Sequence, residues 1–157
     1  MHRIEVVSAT IAHVVAMVPH VRQADIDELR DGWDVTPREA LVLGLKISDH
    51  PRAAMIDGKV LCVFGVTRSI HAGWFVPWMI ASEDILACRR EWLEHSRETI
   101  HLLRRVYGPL ENWVDARNRL AIRWLRWCGF EIEAPAPYGP HGLPFCRFSM
   151  KEIPCAG

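Results

Sequence analysis

The spacing of apolar and polar positions changes several times along this chain, and each change marks an element. RIEVV, residues 3–7, reads as a short opening strand. SATIAHVVAMV then sets Ile11, Val14, Val15 and Val18 at helical spacing until Pro19 stops the helix. RQADIDELRDGW predicts a second helix that buries Ile26, Leu29 and Trp33. TPRE announces a third, with Thr36 as N-cap, Pro37 at the first helical position and Glu39 closing a capping box.

RAAMID and KVLCVFGVTRS, joined through Gly58, carry the β-branched and aromatic residues of a hairpin, and AGWFVPWMIA follows as another strand. Pro77 has no N–H to give to a ladder, so this strand must bulge, bend or lie unpaired there. A long helix is expected from Ser82 to about Val106, ended by Gly108 and Pro109. LENWVDA is strand, ARNRLAIRWLRWC is helix, GFEIEA is strand, APAPYGPHGLP is a long loop and PFCRFSMKEI is the final strand. The order fits an α+β domain over residues 1–157. Its single mixed, mostly antiparallel sheet would have six to seven strands and helices on both faces, because the early strands want hairpins and the two late β-α-β passages want parallel crossovers.

Composition narrows the classes. The chain has 157 residues, half of them apolar, enough for one core without staples. No apolar run approaches the roughly 20 residues of a membrane helix, and the start lacks the order of a signal peptide, so the expectation is a soluble intracellular protein without a membrane partner. The five cysteines include no C-x-x-C pair and sit mostly in apolar segments, which speaks against a disulfide framework or a metal site. Acids and bases cancel at 19 each, which speaks against nucleic acid as a partner, even through the cluster Arg117, Arg119, Arg123 and Arg126.

The element order, together with N-x-x-A…G-F in ARNRLAIRWLRWCGF, resembles the GNAT superfamily of acetyl-CoA-dependent N-acetyltransferases. The matching positions are Asn118, Ala121, Gly129 and Phe130. Asn118 suits a helix N-cap and Gly129 a left-handed C-cap, while Leu120, Ala121, Trp124, Leu125, Trp127 and Cys128 form one apolar arc. The resemblance also exposes departures. Active relatives carry Q/R-x-x-G-x-G/A after the fourth strand, where backbone amides hold the cofactor's pyrophosphate; WMIASEDILACRR has no glycine there. With Ser82 as N-cap, Glu83 and Asp84 would occupy the first turn, favouring the helix dipole and repelling phosphate. The relatives' Tyr seven residues after the helix Asn, which protonates the leaving thiolate, is Leu125 here.

Two functional expectations follow. The stretches around AGWFVPWMIASEDI and WVDARNRLAIRWLRWCGF resemble GNAT-like proteins of tailed phages. That resemblance implies a catalytically degenerate structural or interaction component with a protein partner or virion assembly, in the host cytoplasm or the virion, and no cofactor. The alternative is an N-acetyltransferase with an atypical cofactor loop, in which acetyl-CoA would lie against Trp78, Met79, Ile80 and Asn118. His71, Glu111 or Asp115 would then supply the base. Trp74, Trp78, Trp113, Trp124 and Trp127 are expected to crowd the place where neighbouring strands splay, leaving a cleft too small for pantetheine.

Overall fold

The computed structural model describes residues 3–155. An eight-stranded sheet has the order β1-β2-β3-β4-β5-β8-β6, with β7 also paired to β8. β1 (Glu5–Ser8), β2 (Asp49–Ile56), β3 (Lys59–Arg68) and β4 (Phe75–Ala81) form an antiparallel run. Asp57 and Gly58 make the tight β2–β3 turn with positive φ, 48° and 76°. β5 (Leu110–Asp115), β6 (Glu131–Ile132) and β7 (Ala136–Tyr138) each pair antiparallel with β8 (Leu143–Met150). The mixed sheet and α+β class are those expected; the extra strand is β7, which lies inside the stretch expected to be loop.

α1 (Ile11–Met17), α2 (Gln23–Trp33) and α3 (Pro37–Ile47) lie on one side of the sheet, α4 (Arg89–Val106) and α5 (Arg119–Cys128) on the other. The capping box of α3 forms as expected: the Glu39 amide donates to Thr36 Oγ1 at 3.2 Å and the Thr36 amide to Glu39 Oε2 at 3.0 Å. Ile26 and Leu29 of α2 pack on the core, but Trp33, the last residue of α2, stays 38% exposed while meeting Tyr138 and Phe145 edge-on. Among the described residues no helix is long and apolar enough to cross a membrane.

The core divides unequally. On the first side Val14, Met17, Leu41, Val63 and Ile80 form one cluster. On the other side Cys62, Ala81, Ile85 and Cys88 cluster under β3 and β4, apart from Val114, Leu125, Cys128, Phe148 and Met150 under β5 and β8. The break follows the one parallel junction of the sheet, β4 with β5, which pairs only at Phe75 and Leu110. Past that point the two strands part. β6 does not pair with β5, although both run the same way, because β8 is inserted between them.

Candidate active site

Where β4 leaves β5, its backbone needs other partners. Phe75 N–H reaches Pro109 O at 2.9 Å, Pro77 O accepts from Asn112 Nδ2 at 2.8 Å, and Ala81 N–H donates to Asp25 Oδ2 at 2.7 Å. Odd-numbered residues of β4 therefore turn their amides and carbonyls toward β5, by the two-residue period of a strand. Pro77 stands where its missing N–H would have faced the gap, and its register with Val66 on the other side is unbroken. Met79, next in that series, has its N–H and C=O directed into the gap with no partner among the described residues. Asn112 holds the narrow end open: its carboxamide also accepts from Trp113 N–H at 2.8 Å, so one side chain bridges the two strands. At the wide end α2 supplies one acid per strand. Asp25 binds Ala81, and Glu28 Oε1 accepts from Asp115 N–H at 2.7 Å.

A cavity of about 420 Å³ runs through this gap and along the groove between α4 and α5. Trp78, Met79 and Asn118 line it, whereas Ile80 is buried in the core against α1 and α3. The expectation that indoles fill the cleft is corrected in the strand gap, where Trp78 and Trp113 are drawn aside and the cavity stays open. Trp78 Nε1 donates to Ser48 Oγ at 2.7 Å, and its ring lies against Gly44 and Gly65; a Cβ on Gly44 would come within 2.5 Å of it. Trp113 stacks on Tyr138 at 4.4 Å, and Trp92 pairs with Trp124 at 4.8 Å across the α4–α5 groove. Trp124 is fixed by its bond to Ser96 Oγ at 3.1 Å.

Asn118 caps α5 as expected, Oδ1 accepting from Ala121 N–H at 3.2 Å, and Gly129 ends the helix with φ 107°. The other half of the carboxamide, Asn118 Nδ2, is buried without a hydrogen-bond partner on the cavity wall. A buried donor left unpaired costs about 1–3 kcal/mol, which a ligand's carbonyl would relieve.

The expected start of the long helix is corrected, and with it the electrostatics. Glu83–Leu86 is a single 3₁₀ turn, and α4 begins at Arg89. Ser82 stands at the N-cap of that 3₁₀ turn, not of α4, and its hydroxyl makes no capping bond, being buried and unpartnered. Glu83 and Asp84 thus lie outside the first turn of α4, with Asp84 3.8 Å from Lys59 Nζ. That turn carries Arg89 and Arg90 ahead of Glu91, and Arg89, His95 of α4 and Arg123 of α5 lie on the cavity wall. The charge at the mouth of the α4–α5 groove is therefore positive, the sign a phosphate needs.

The candidate bases separate into distinct settings. His71 and Glu111 come together: His71 Nδ1 lies 2.6 Å from Glu111 Oε1, which also receives Ser69 Oγ at 2.5 Å, while Arg147 Nη2 binds Oε2 at 2.5 Å. Burial works to raise the Glu111 carboxyl, but these hydrogen bonds outweigh it and the net shift is downward. Asp115 is likewise buried but lowered, because Arg117 grips it through Nε at 3.0 Å and Nη2 at 2.7 Å while reaching Asp31 at 2.6 Å. Neither His71, Glu111 nor Asp115 lines the cavity. Glu28, which sequence reasoning did not single out, does line it, and burial pushes its carboxyl up to about 7. An acid at one position of an amphipathic helix carries no signal until the helix is docked.

No tyrosine takes the position of a general acid. Leu125 is buried in the core, Tyr107 donates to Asp49 Oδ2 at 2.7 Å, and Tyr138 is stacked on Trp113. Burial also pushes the Cys62 and Cys128 thiols up to about 12, so neither serves as a thiolate near neutral pH.

The chain matches no protein-family model. It matches no curated protein either. Solved structures do resemble it. An N-acetyltransferase from Staphylococcus aureus Mu50 aligns with a TM-score of 0.69 at 12% identity, over 95% of this chain and 98% of that one. A Bacillus subtilis acetyltransferase in complex with CoA aligns with 0.64 at 12% identity, over 98% and 100%. The ribosomal-protein-S18-alanine N-acetyltransferase of Escherichia coli aligns with 0.59 at 18% identity, over 100% and 97%. This chain therefore has the GNAT acetyltransferase fold, end to end.

Proposed function

We propose that the protein is an acyl-CoA-dependent N-acyltransferase, with acetyl-CoA as the simplest donor. The observation that carries this reading is the pairing of two idle donors on one cavity: Met79 N–H in the strand gap and the buried Asn118 Nδ2. A thioester donor with amide groups along its arm is the kind of ligand that satisfies both.

In this reading the α4–α5 groove takes the arm of the donor, and Arg89 and Arg123 face its phosphates. Met79 N–H polarises the thioester carbonyl. Glu28, ionised above about pH 7, accepts a proton from the attacking amine. The new C–N bond forms as the C–S bond breaks, and the sulfur leaves as thiolate, protonated from water.

Calorimetry with acetyl-CoA tests the reading directly. Saturable binding is expected, weakened by Asn118→Ala, along with release of free thiol when an acceptor amine is present. A second reading, a scaffold without transfer, is favoured by one observation: residues 80–91 contain no glycine and Glu83 lies exposed just after β4. No heat at millimolar acetyl-CoA and no thiol release would replace the enzyme reading with that one.

A further inference from the structure

On the α2 side of the gap the cavity wall is built of indoles around a single uncommitted carboxylate. Trp78 comes from β4, Trp113 from β5 and Trp33 from the end of α2, and Glu28 lies on the same wall. Each indole is held from behind. Ser48 and the two glycines seat Trp78, Tyr138 stacks under Trp113 at an interplanar angle of 20°, and Trp33 meets Tyr138 edge-on at 5.8 Å. Rings fixed in this way lose little freedom when a ligand arrives.

The charges around Glu28 are mostly committed to one another, although Arg22, on the same wall, keeps a buried Nε without a hydrogen-bond partner. Asp25 Oδ1 accepts from Arg22 Nη2 at 2.8 Å and Oδ2 from Ala81 N–H, and Asp115 from β5 is held by Arg117. Glu28 spends Oε1 on Asp115 N–H, and Oε2 has no hydrogen-bond partner among the described residues. One free carboxylate oxygen beside aromatic faces is the chemistry of an organic cation, since ring quadrupoles and the carboxylate both attract an ammonium. Apart from Arg22 and the Met79 backbone few polar groups stand on this wall, so a peptide backbone would leave most of its hydrogen bonds unmet on entering.

We infer that this half of the cavity is the acceptor site, and that the acceptor is a primary ammonium on a compact apolar body, an alkyl- or arylalkylamine. Its nitrogen lies against Glu28 and its body between the Trp78 and Trp113 indoles. The word acceptor depends on the acyl-transfer reading; the binding of the amine does not.

Titration of 2-phenylethylamine into the protein alone, followed by indole fluorescence and calorimetry, is the test. Saturable binding is expected at pH 8, at least tenfold weaker for 2-phenylethanol and for Glu28→Gln. It should weaken toward pH 6 as Glu28 takes up a proton while the amine stays charged. Gln retains an acceptor for Asp115 N–H, so the variant should fold, and circular dichroism checks this. Trp33→Ala, at the exposed end of the wall, gives an independent loss of affinity if Glu28→Gln does not fold. Equal affinity for the alcohol, indifference to both substitutions, or equally tight binding of a short peptide with a free N-terminus would overturn the inference. Amine binding without acetyl-CoA binding would leave this site standing and remove the transferase; the reverse result would do the opposite.

Discussion

At the scale of single residues, the site depends on side chains whose value comes from what surrounds them. Gly44 is a glycine inside a helix, a choice that ordinarily costs about 1 kcal/mol against alanine. Here a Cβ would press on two Trp78 ring atoms at 2.5 and 2.7 Å, and relief requires the indole to move toward the cavity, away from its Ser48 hydrogen bond. Gly44→Ala is therefore expected to destabilise the fold by roughly 1–2 kcal/mol despite better helix propensity, and to quench or shift Trp78 emission. Urea unfolding together with fluorescence reads both effects.

Glu28 makes a second prediction at this scale. Its carboxyl is raised to about 7 by burial, so the neutral form is the better folded partner. The stability it contributes is complete below the ordinary carboxylate range and is lost as pH rises through about 7. Between pH 5 and 8 the native protein should lose about 2 kcal/mol that Glu28→Gln keeps, a difference measurable by denaturation at the two pH values. Asp115 has the opposite sign, because it is lowered in the folded state, and its contribution disappears on acidification.

At the scale of elements, the decisive feature is the separation of β4 from β5. Asn112 substitutes for ladder hydrogen bonds at the narrow end, with Pro77 O and Trp113 N–H as its partners. Asn112→Ala should cost about 1 kcal/mol for each group released, and should reduce acetyl-CoA affinity as the gap loses its brace. Chemical denaturation and calorimetry check the two parts separately. Much of this level was readable beforehand: the capping box of α3, the Asn118 and Gly129 caps of α5 and the unpaired side of Pro77 are all local signals. The start of α4 was not. Ser82 with Glu83 and Asp84 has the composition of a helix N-terminus, yet Ser82 N–H pairs with Leu61 O at 2.8 Å and a bridge from Val21 holds the same residue. That pairing holds Ser82 itself extended; Glu83–Leu86 then make one 3₁₀ turn, and the α-helix starts only at Arg89.

At the scale of the whole molecule, α1–α3 and α4–α5 cover opposite faces of a sheet that is open between β4 and β5, so residues of both layers line one gap. A donor that binds only the folded state must raise the melting temperature. Acetyl-CoA at 100 times its dissociation constant should add about 2.7 kcal/mol of stability, visible as a concentration-dependent shift in thermal melting. An unchanged melting point at millimolar acetyl-CoA would contradict the enzyme reading.

The chain by itself determined the succession of strands and helices, the caps and the mixed α+β class, because these follow from periodicity, breakers and side chains acting on their near neighbours. Only the tertiary structure decided which groups share the cavity. Met79 N–H, Asn118 Nδ2 and Glu28 come from β4, α5 and α2, and their idle or shifted states arise from burial and unmet hydrogen bonds. Those are properties of packing between elements far apart in the chain, so no local pattern of residues records them.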